Sequence, residues 1–201
     1  MNDVNRVQRA LAAIAEAAGR SKWVVGGSAG LLLRGLPLSP NDVDIYCDDE
    51  DVASLHHALR EYAVDQPEHS TTAIYRSRLA HYRIDGVFIE LVGGFRVSAL
   101  GCTYSIKVKE LLIPYAHLVQ LPEATEYVHV VPLAHELLFN VLRERQDRVT
   151  PIAAMMERDL KRHLPALEAL EKDNAIPDAM RIHIREMMFG MKAEVPLWKQ
   201  K

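Results

Sequence analysis

Cysteine is nearly absent. Cys47 and Cys102 are the only two in 201 residues, and neither sits in a Cys-x-x-Cys pair or at a Cys/His spacing that would hold zinc. A disulfide framework is therefore not expected, which fits a reducing compartment. Long apolar runs are missing too: no stretch approaches the roughly 18 residues of a membrane-span candidate. The first twenty residues carry charge throughout and lack a small-residue cleavage site, unlike a secretory leader. Nor is there an excess of positive charge, since 24 Lys and Arg face 27 Asp and Glu and leave a net charge of −3. That balance offers no general attraction to long nucleic acid or an anionic membrane. The remaining composition, 49% hydrophobic and 25% charged, is that of a folded cytoplasmic protein with one substantial domain or two small ones. No internal repeat or low-complexity linker interrupts it.

What is present divides into two halves. Val4, Val7, Leu11, Ile14 and Ala18 recur at helical spacing and predict an amphipathic helix over 3–19. Trp23-Val24-Val25 reads as a short buried strand stopped by Gly26-Gly27, and Ser28 as the N-cap of a helix that ends at Gly35 and Pro37. Asp42 to Cys47 alternates polar and apolar residues as a half-buried strand does, and the acidic run Asp48–Asp51 should cap a helix over 51–62. From Thr71 the period changes to that of a strand reaching Ile84. Asp85-Gly86 then signals a two-residue hairpin, with a return strand from Val87 to Val92 ended by Gly93-Gly94. Short strands are expected around 103–108 and 126–131. Helices follow over 133–145, 151–171 and 177–192. The expected class is α+β: a mixed sheet flanked by helices over 1–131, then a helical region over 132–201 packing on it.

Three carboxylates stand where a strand would carry apolar residues. Asp42 and Asp44 point to one face, roughly 7 Å apart along the strand. Carboxylates held that close repel, and raise one another's pKa unless a cation lies between them. Mg²⁺ meets that need, because it takes carboxylate oxygens and keeps positions open for phosphate. Glu90 interrupts Phe88-Ile89 and Leu91-Val92, a costly place for a carboxylate that has no partner. Should its strand lie beside Asp42–Cys47, all three acids converge. On the other side, Gly26-Gly27 permits close approach of backbone to a ligand, and Ser28 opens a helix whose first amides favour an anion. The G-x-G-x-x-G spacing of dinucleotide-binding folds is absent.

The stretch VVGGSAGLLLRGLPLSPNDVDIY resembles the signature of the nucleotidyltransferase superfamily of the DNA polymerase β type. It is similar in flavour to the small bacterial antibiotic-type and toxin-type members. The resemblance covers about residues 23–92. It implies that Gly26, Gly27 and Ser28 bind a nucleoside triphosphate and that Asp42 and Asp44 hold Mg²⁺ or Mn²⁺. It also implies that Glu90 completes the metal site and can accept the proton of the attacking hydroxyl. The implied reaction is transfer of a nucleoside monophosphate to a hydroxyl of a small molecule, a protein or a tRNA end, with release of pyrophosphate.

The sequence departs from that pattern in three places. The third acid is Glu where Asp is commoner. The helix after Val131-Pro132 reads Phe139-Asn140-Val141 where relatives carry Lys, leaving Arg143 and Arg145 as the nearest cations and Arg143 as the candidate nucleotide contact. The Asp-Ile pair expected near Pro151-Ile152 is missing. A catalytically degenerate binding module, with a protein partner or as a homo-oligomer, is therefore the alternative expectation. Elsewhere the bland readings prevail. Tyr75 to Arg78 and Arg83 are expected on a solvated strand face, Arg34 and His56-His57 at the surface, His135 as a cap or surface residue, and Asp85 as the hairpin turn.

Overall fold

The N-terminal periodicity forms α1 (Asp3–Ala18), with Val7, Ala10, Leu11, Ile14 and Ala18 buried. Residues 3–122 and 127–189 are described in the computed structural model. Within them, contacts divide the chain into two units. One contains Met1–Phe95 and Ile106–Val131, the other Arg96–Ser105 and Pro132–Lys201.

The first unit is built on a mixed sheet. Its strands are β1 (Val24–Gly26), β2 (Asp42–Cys47), β3 (Glu68–Thr71), β4 (Tyr75–Ile84), the first part of β5 (Val87–Ala99), β7 (His117–Gln120) and β8 (Tyr127–Val130). They lie in the order β3-β4-β5-β2-β1-β8-β7. The β2–β5 and β1–β8 pairs are parallel, while β1–β2, β3–β4 and β7–β8 are antiparallel. Val43, Ile45, Ile89, Leu91, Ala80 and Tyr82 point to one face and form the core with α1 and with Val52, Leu55 and Leu59 in and after α3 (Val52–Ala58). By alternation, Asp42, Asp44 and Glu90 point to the other face.

Several expectations are corrected. The helix after β1, α2 (Gly27–Leu33), has Gly26 as its N-cap, and Ser28 lies inside its first turn. The segment 51–62 is broken into short turns around α3, and the Asp48 carboxylate makes no cap hydrogen bond to it. It accepts instead from the backbone N–H groups of Val108 (2.7 Å) and Lys109 (3.1 Å), at the start of a π-helical turn over Val108–Leu112. Arg34 is not a surface residue: its guanidinium donates to the carbonyl of Val131 at 2.6 Å, tying the end of α2 to the end of β8. His56 bonds through Nδ1 to the buried Tyr82 hydroxyl at 2.9 Å and through Nε2 to Gln66 at 3.0 Å. The edge strands β3 and β7 escape the sequence pattern altogether.

Gly93-Gly94 does not end β5. A Cβ on Gly93 would meet Val52 Cγ2 at 2.0 Å, and one on Gly94 (φ +57°) would meet Asp49 Cβ at 2.9 Å. Two successive residues thus face the same side, which is a bulge with glycine at the left-handed position. After it the parity of the strand is reversed. Phe95 comes onto the face of Tyr46 and Tyr75, with ring centroids 5.9 and 5.8 Å away.

The second unit joins the far end of β5, paired antiparallel to β6 (Cys102–Ser105), to four helices: α4 (Leu133–Leu142), α5 (Gln146–Glu157), α6 (Leu160–Asp173) and α7 (Asp178–Met188). The expected 151–171 helix is two. Pro151 lies inside α5, and Asp159 caps α6 by accepting from the Arg162 N–H. Residue 126 of the expected strand and 190–192 of the last helix lie outside the described residues. α4 packs against α5 and α6, and all ten of its residues are buried. Its His135 is neither cap nor surface: it is wholly buried, its Nδ1 lies 2.9 Å from the Tyr104 hydroxyl, and its ring stacks on Phe139. Glu171, also buried, takes both guanidinium nitrogens of Arg185 at 2.6 and 2.8 Å.

Candidate active site

The parallel pairing of β2 and β5 brings the acids together. Asp44 is the register partner of Glu90, and Asp42 is the partner of Phe88, one alternation back on the same face. On the other flank Asp44 pairs with Gly26. The next residue, Gly27, has φ +60°, and a Cβ there would lie 2.1 Å from Asp44 Oδ2. The glycine therefore has two reasons to be glycine: a left-handed backbone, and a carboxylate that occupies the space of its missing side chain. Burial pushes the Glu90 carboxyl above its ordinary range, and the charge of Asp42 pushes it the same way, while His81 opposes them. As oriented, no three His, Cys, Asp or Glu side chains among the described residues close around one point as a metal cage. The acids form an open row of oxygen donors instead.

His81 was not foreseen. The turn at Asp85-Gly86 has positive φ at both residues (+50° and +77°), as a type I′ hairpin requires. A two-residue turn puts Ile84 opposite Val87, hence His81 opposite Glu90, in a non-hydrogen-bonded pair whose side chains come close. His81 Nε2 lies 3.8 Å from Glu90 Oε1, and the ring stacks on Phe88 with centroids 5.3 Å apart. The His81 backbone, turned away from β5, donates to Asp65 Oδ1 at 2.7 Å, while its ring Nδ1 lies 2.5 Å from Asp65 Oδ2. Burial alone would raise the Asp65 carboxyl, but these hydrogen bonds from His81 outweigh it and hold the group below its ordinary value. Continuing the hairpin register two pairs past Arg83–Phe88 would have found His81 from sequence. Asp65, in an irregular segment, leaves no such signal.

The cations divide by alternation. Arg83 shares the face of Glu90 and lies over Phe88, 5.9 Å from its centroid. Arg76 and Arg78 point to the opposite face, where Arg78 approaches Asp49 at 3.9 Å. Arg6 of α1 lines a small cleft at the start of β2 with Pro40, Asn41, Asp42 and Val87. Arg143 belongs to the second unit, at the C-cap of α4, with its guanidinium 4.7 Å from the Phe139 ring. Arg145 there binds Asp147 through both nitrogens.

No protein-family model matches the sequence, and no curated protein does. Solved structures do resemble it. One is TM1012 from Thermotoga maritima, whose own assignment as a nucleotidyltransferase is provisional. The two share 21% identity over 75% of this chain and 92% of that one, with a TM-score of 0.56. Two looser resemblances have TM-scores of 0.40 and 0.38. The first is ANT(2″)-Ia in complex with adenylyl-2″-tobramycin (13% identity, 93% of this chain and 97% of that one). The second is JHP933 from Helicobacter pylori (10% identity, 96% and 94%). The chain has the α+β fold of the nucleotidyltransferase type, an open mixed sheet flanked by helices.

Proposed function

We propose that the protein transfers a nucleoside monophosphate from a nucleoside triphosphate to an acceptor hydroxyl, with Mg²⁺ bound on the carboxylate face and pyrophosphate released. The observation that carries this reading is the β2–β5 register: Asp44 beside Glu90, Asp42 on the same face, and Gly27 against the Asp44 carboxylate. The three acids supply only oxygen donors, which suits a hard divalent ion. The side-chain space missing at Gly27 is filled by the ligating group itself. Asp42, Asp44 and Glu90 would hold the ion, and it would supply charge neutralisation at the triphosphate and polarisation of the α-phosphorus. The backbone at Gly26, Gly27 and Ser28 lies beside those acids and is the proposed triphosphate contact. Arg83 lies at the margin of the same row, on the face of Glu90 and over Phe88, where a guanidinium group can meet phosphate or acceptor.

A degenerate binding module gives no reason for three acids to stand on one sheet face with Glu90 half-buried. Asp44→Asn tests the proposal. Calorimetric titration of ATP, GTP, CTP and UTP with Mg²⁺ should show binding by the natural protein that is lost in the variant, with folding unchanged by circular dichroism. Equal binding by both would refute the assignment of the metal site.

A further inference from the structure

We propose that two copies of this chain pair through β7, strand against strand and antiparallel, about a two-fold axis at Val119 that joins two sheets into one. The pairing does not depend on the reaction proposed for the carboxylate face. The sheet order ends at β7, and among the described residues no strand lies beyond it. Such an edge offers backbone N–H and C=O groups to any strand that matches them, and proteins commonly guard it with charge, proline or a bulge. The opposite edge, β3, is polar and carries Glu68. β7 reads His-Leu-Val-Gln, and no Lys, Arg, Asp or Glu occurs over 111–122 or 127–131. Three of the six large apolar residues that stand exposed among the described residues gather here: Tyr115, Leu118 and Tyr127. Leu118 is 51% exposed and Tyr127 53%. Leu118 pairs with His129 and Gln120 with Tyr127, so the two apolar side chains are diagonal neighbours on the face away from the core. The lack of charge selects the occupant. A two-fold axis brings each residue near its own copy, so a charged strand would repel itself, and an uncharged one does not.

The ladder decides which backbone groups face outward. The Val131 N–H donates to the Val25 carbonyl at 2.8 Å, so Val131 and His129 turn their backbone groups toward β1, and Val130 and Val128 turn theirs toward β7. Val130 pairs with His117 and Val128 with Val119; these are the hydrogen-bonded pairs. Leu118 and Gln120 therefore direct both N–H and C=O away from β8. An axis at Val119 sets Leu118 opposite the partner copy's Gln120 and the reverse, and each of these two pairs exchanges two hydrogen bonds. An axis at Gln120 would set Leu118 opposite Pro122, which has no N–H. An axis at Leu118 would set Gln120 opposite Ala116, whose N–H already donates to the Ile113 carbonyl at 3.1 Å. The Val119 register thus makes four bonds, more than its neighbours. It also places Leu118 of each copy on the diagonal from the other across the axis, on the same face of the sheet as Asp42, Asp44 and Glu90.

Sedimentation equilibrium on the full chain tests the pairing. The natural protein should pass from monomer to dimer between micromolar and near-millimolar concentration. Leu118→Lys puts a charge at a position already exposed in the monomer, so circular dichroism should show an unchanged fold. In the dimer it sets two lysines across the axis, and the dimer Kd should rise about 100-fold. Gln120→Pro removes one outward N–H from each copy, hence two of the four bonds, and should weaken the dimer about tenfold or more. The double variant Leu118→Lys/Gln120→Glu places each new lysine opposite the partner copy's new glutamate in the Val119 register, and should return the Kd to within about tenfold of the natural value. A natural protein that stays monomeric at every concentration overturns the proposal and leaves the edge to an extended segment of another protein. A dimer that neither Leu118→Lys nor Gln120→Pro weakens is held elsewhere, which overturns it equally. Loss in Leu118→Lys without recovery in the double variant overturns the axis at Val119.

Discussion

Gly27→Ala separates what the fold needs from what the site needs. At φ +60° the alanine incurs left-handed strain of roughly 1–2 kcal/mol. Its Cβ would also start 2.1 Å from Asp44 Oδ2 where an ordinary contact begins near 3.4 Å, so the carboxylate must retreat by roughly 1.3 Å. The retreating atom is the end of a side chain, so the fold yields easily. A ligand displaced by 1 Å, however, costs about 100-fold in rate or more. Gly19 is a matched control, since its φ is +54° and a Cβ there meets nothing within 4 Å. Gly19→Ala and Gly27→Ala should therefore show similar losses in unfolding free energy by urea titration, on the order of 1 kcal/mol. Only Gly27→Ala should lose Mg²⁺-dependent nucleotide binding by calorimetry. Normal nucleotide binding in Gly27→Ala would refute the claim that this glycine makes room for a ligating Asp44.

Two pH dependences follow, one from the half-buried Glu90 and one from the buried His135. Glu90 has its folded pKa raised from 4.5, first by burial and then by Asp42. Its contribution is therefore fully present below pH 4.5 and lost as pH rises through the folded value, so without divalent cations Glu90→Gln should melt higher than the natural protein near neutral pH and alike below 4.5. Thermal melts across that range check it, and an unchanged difference at every pH would contradict it. His135 behaves oppositely: burial depresses it from 6.5 to about 3. Stability is then lost as pH falls from 6.5 toward 3, by about 1.4 kcal/mol per pH unit from this one group, and His135→Phe should flatten that slope in urea titrations, whatever its own stability.

How much of this was legible depended on how local each signal is. Asp85-Gly86 was readable because two residues with positive φ define the turn by themselves. Asp42, Asp44 and Glu90 were readable because a carboxylate in an apolar strand contradicts its surroundings. The edge strands offered neither kind of signal. Glu68-His69-Ser70-Thr71 has little to bury, and in His117–Gln120 only alternate residues are half-buried, so pairing with β4 and β8 rather than apolar pattern makes them strands. His135 misled for the converse reason: a residue type usually seen at surfaces is held inside by distant partners, among them Tyr104, which lies 31 positions earlier.

Gly93-Gly94 shows why the glycine signal alone was ambiguous. A glycine pair ends a strand when the chain must turn, and continues it when a neighbouring side chain needs the space of a missing Cβ. Sequence does not distinguish the two, because the deciding atoms, Val52 Cγ2 and Asp49 Cβ, come from another element. The same logic applies at Gly27, where the deciding atom is an Asp44 oxygen. In both places a glycine records the position of a side chain 17 to 45 residues away. At Gly93 that neighbour is apolar and belongs to the core, so a side chain there should unsettle packing. At Gly27 it is a carboxylate on the open face of the sheet, so the damage should fall on what the carboxylate binds, and this difference makes the Gly27 substitution diagnostic of a site rather than of a fold.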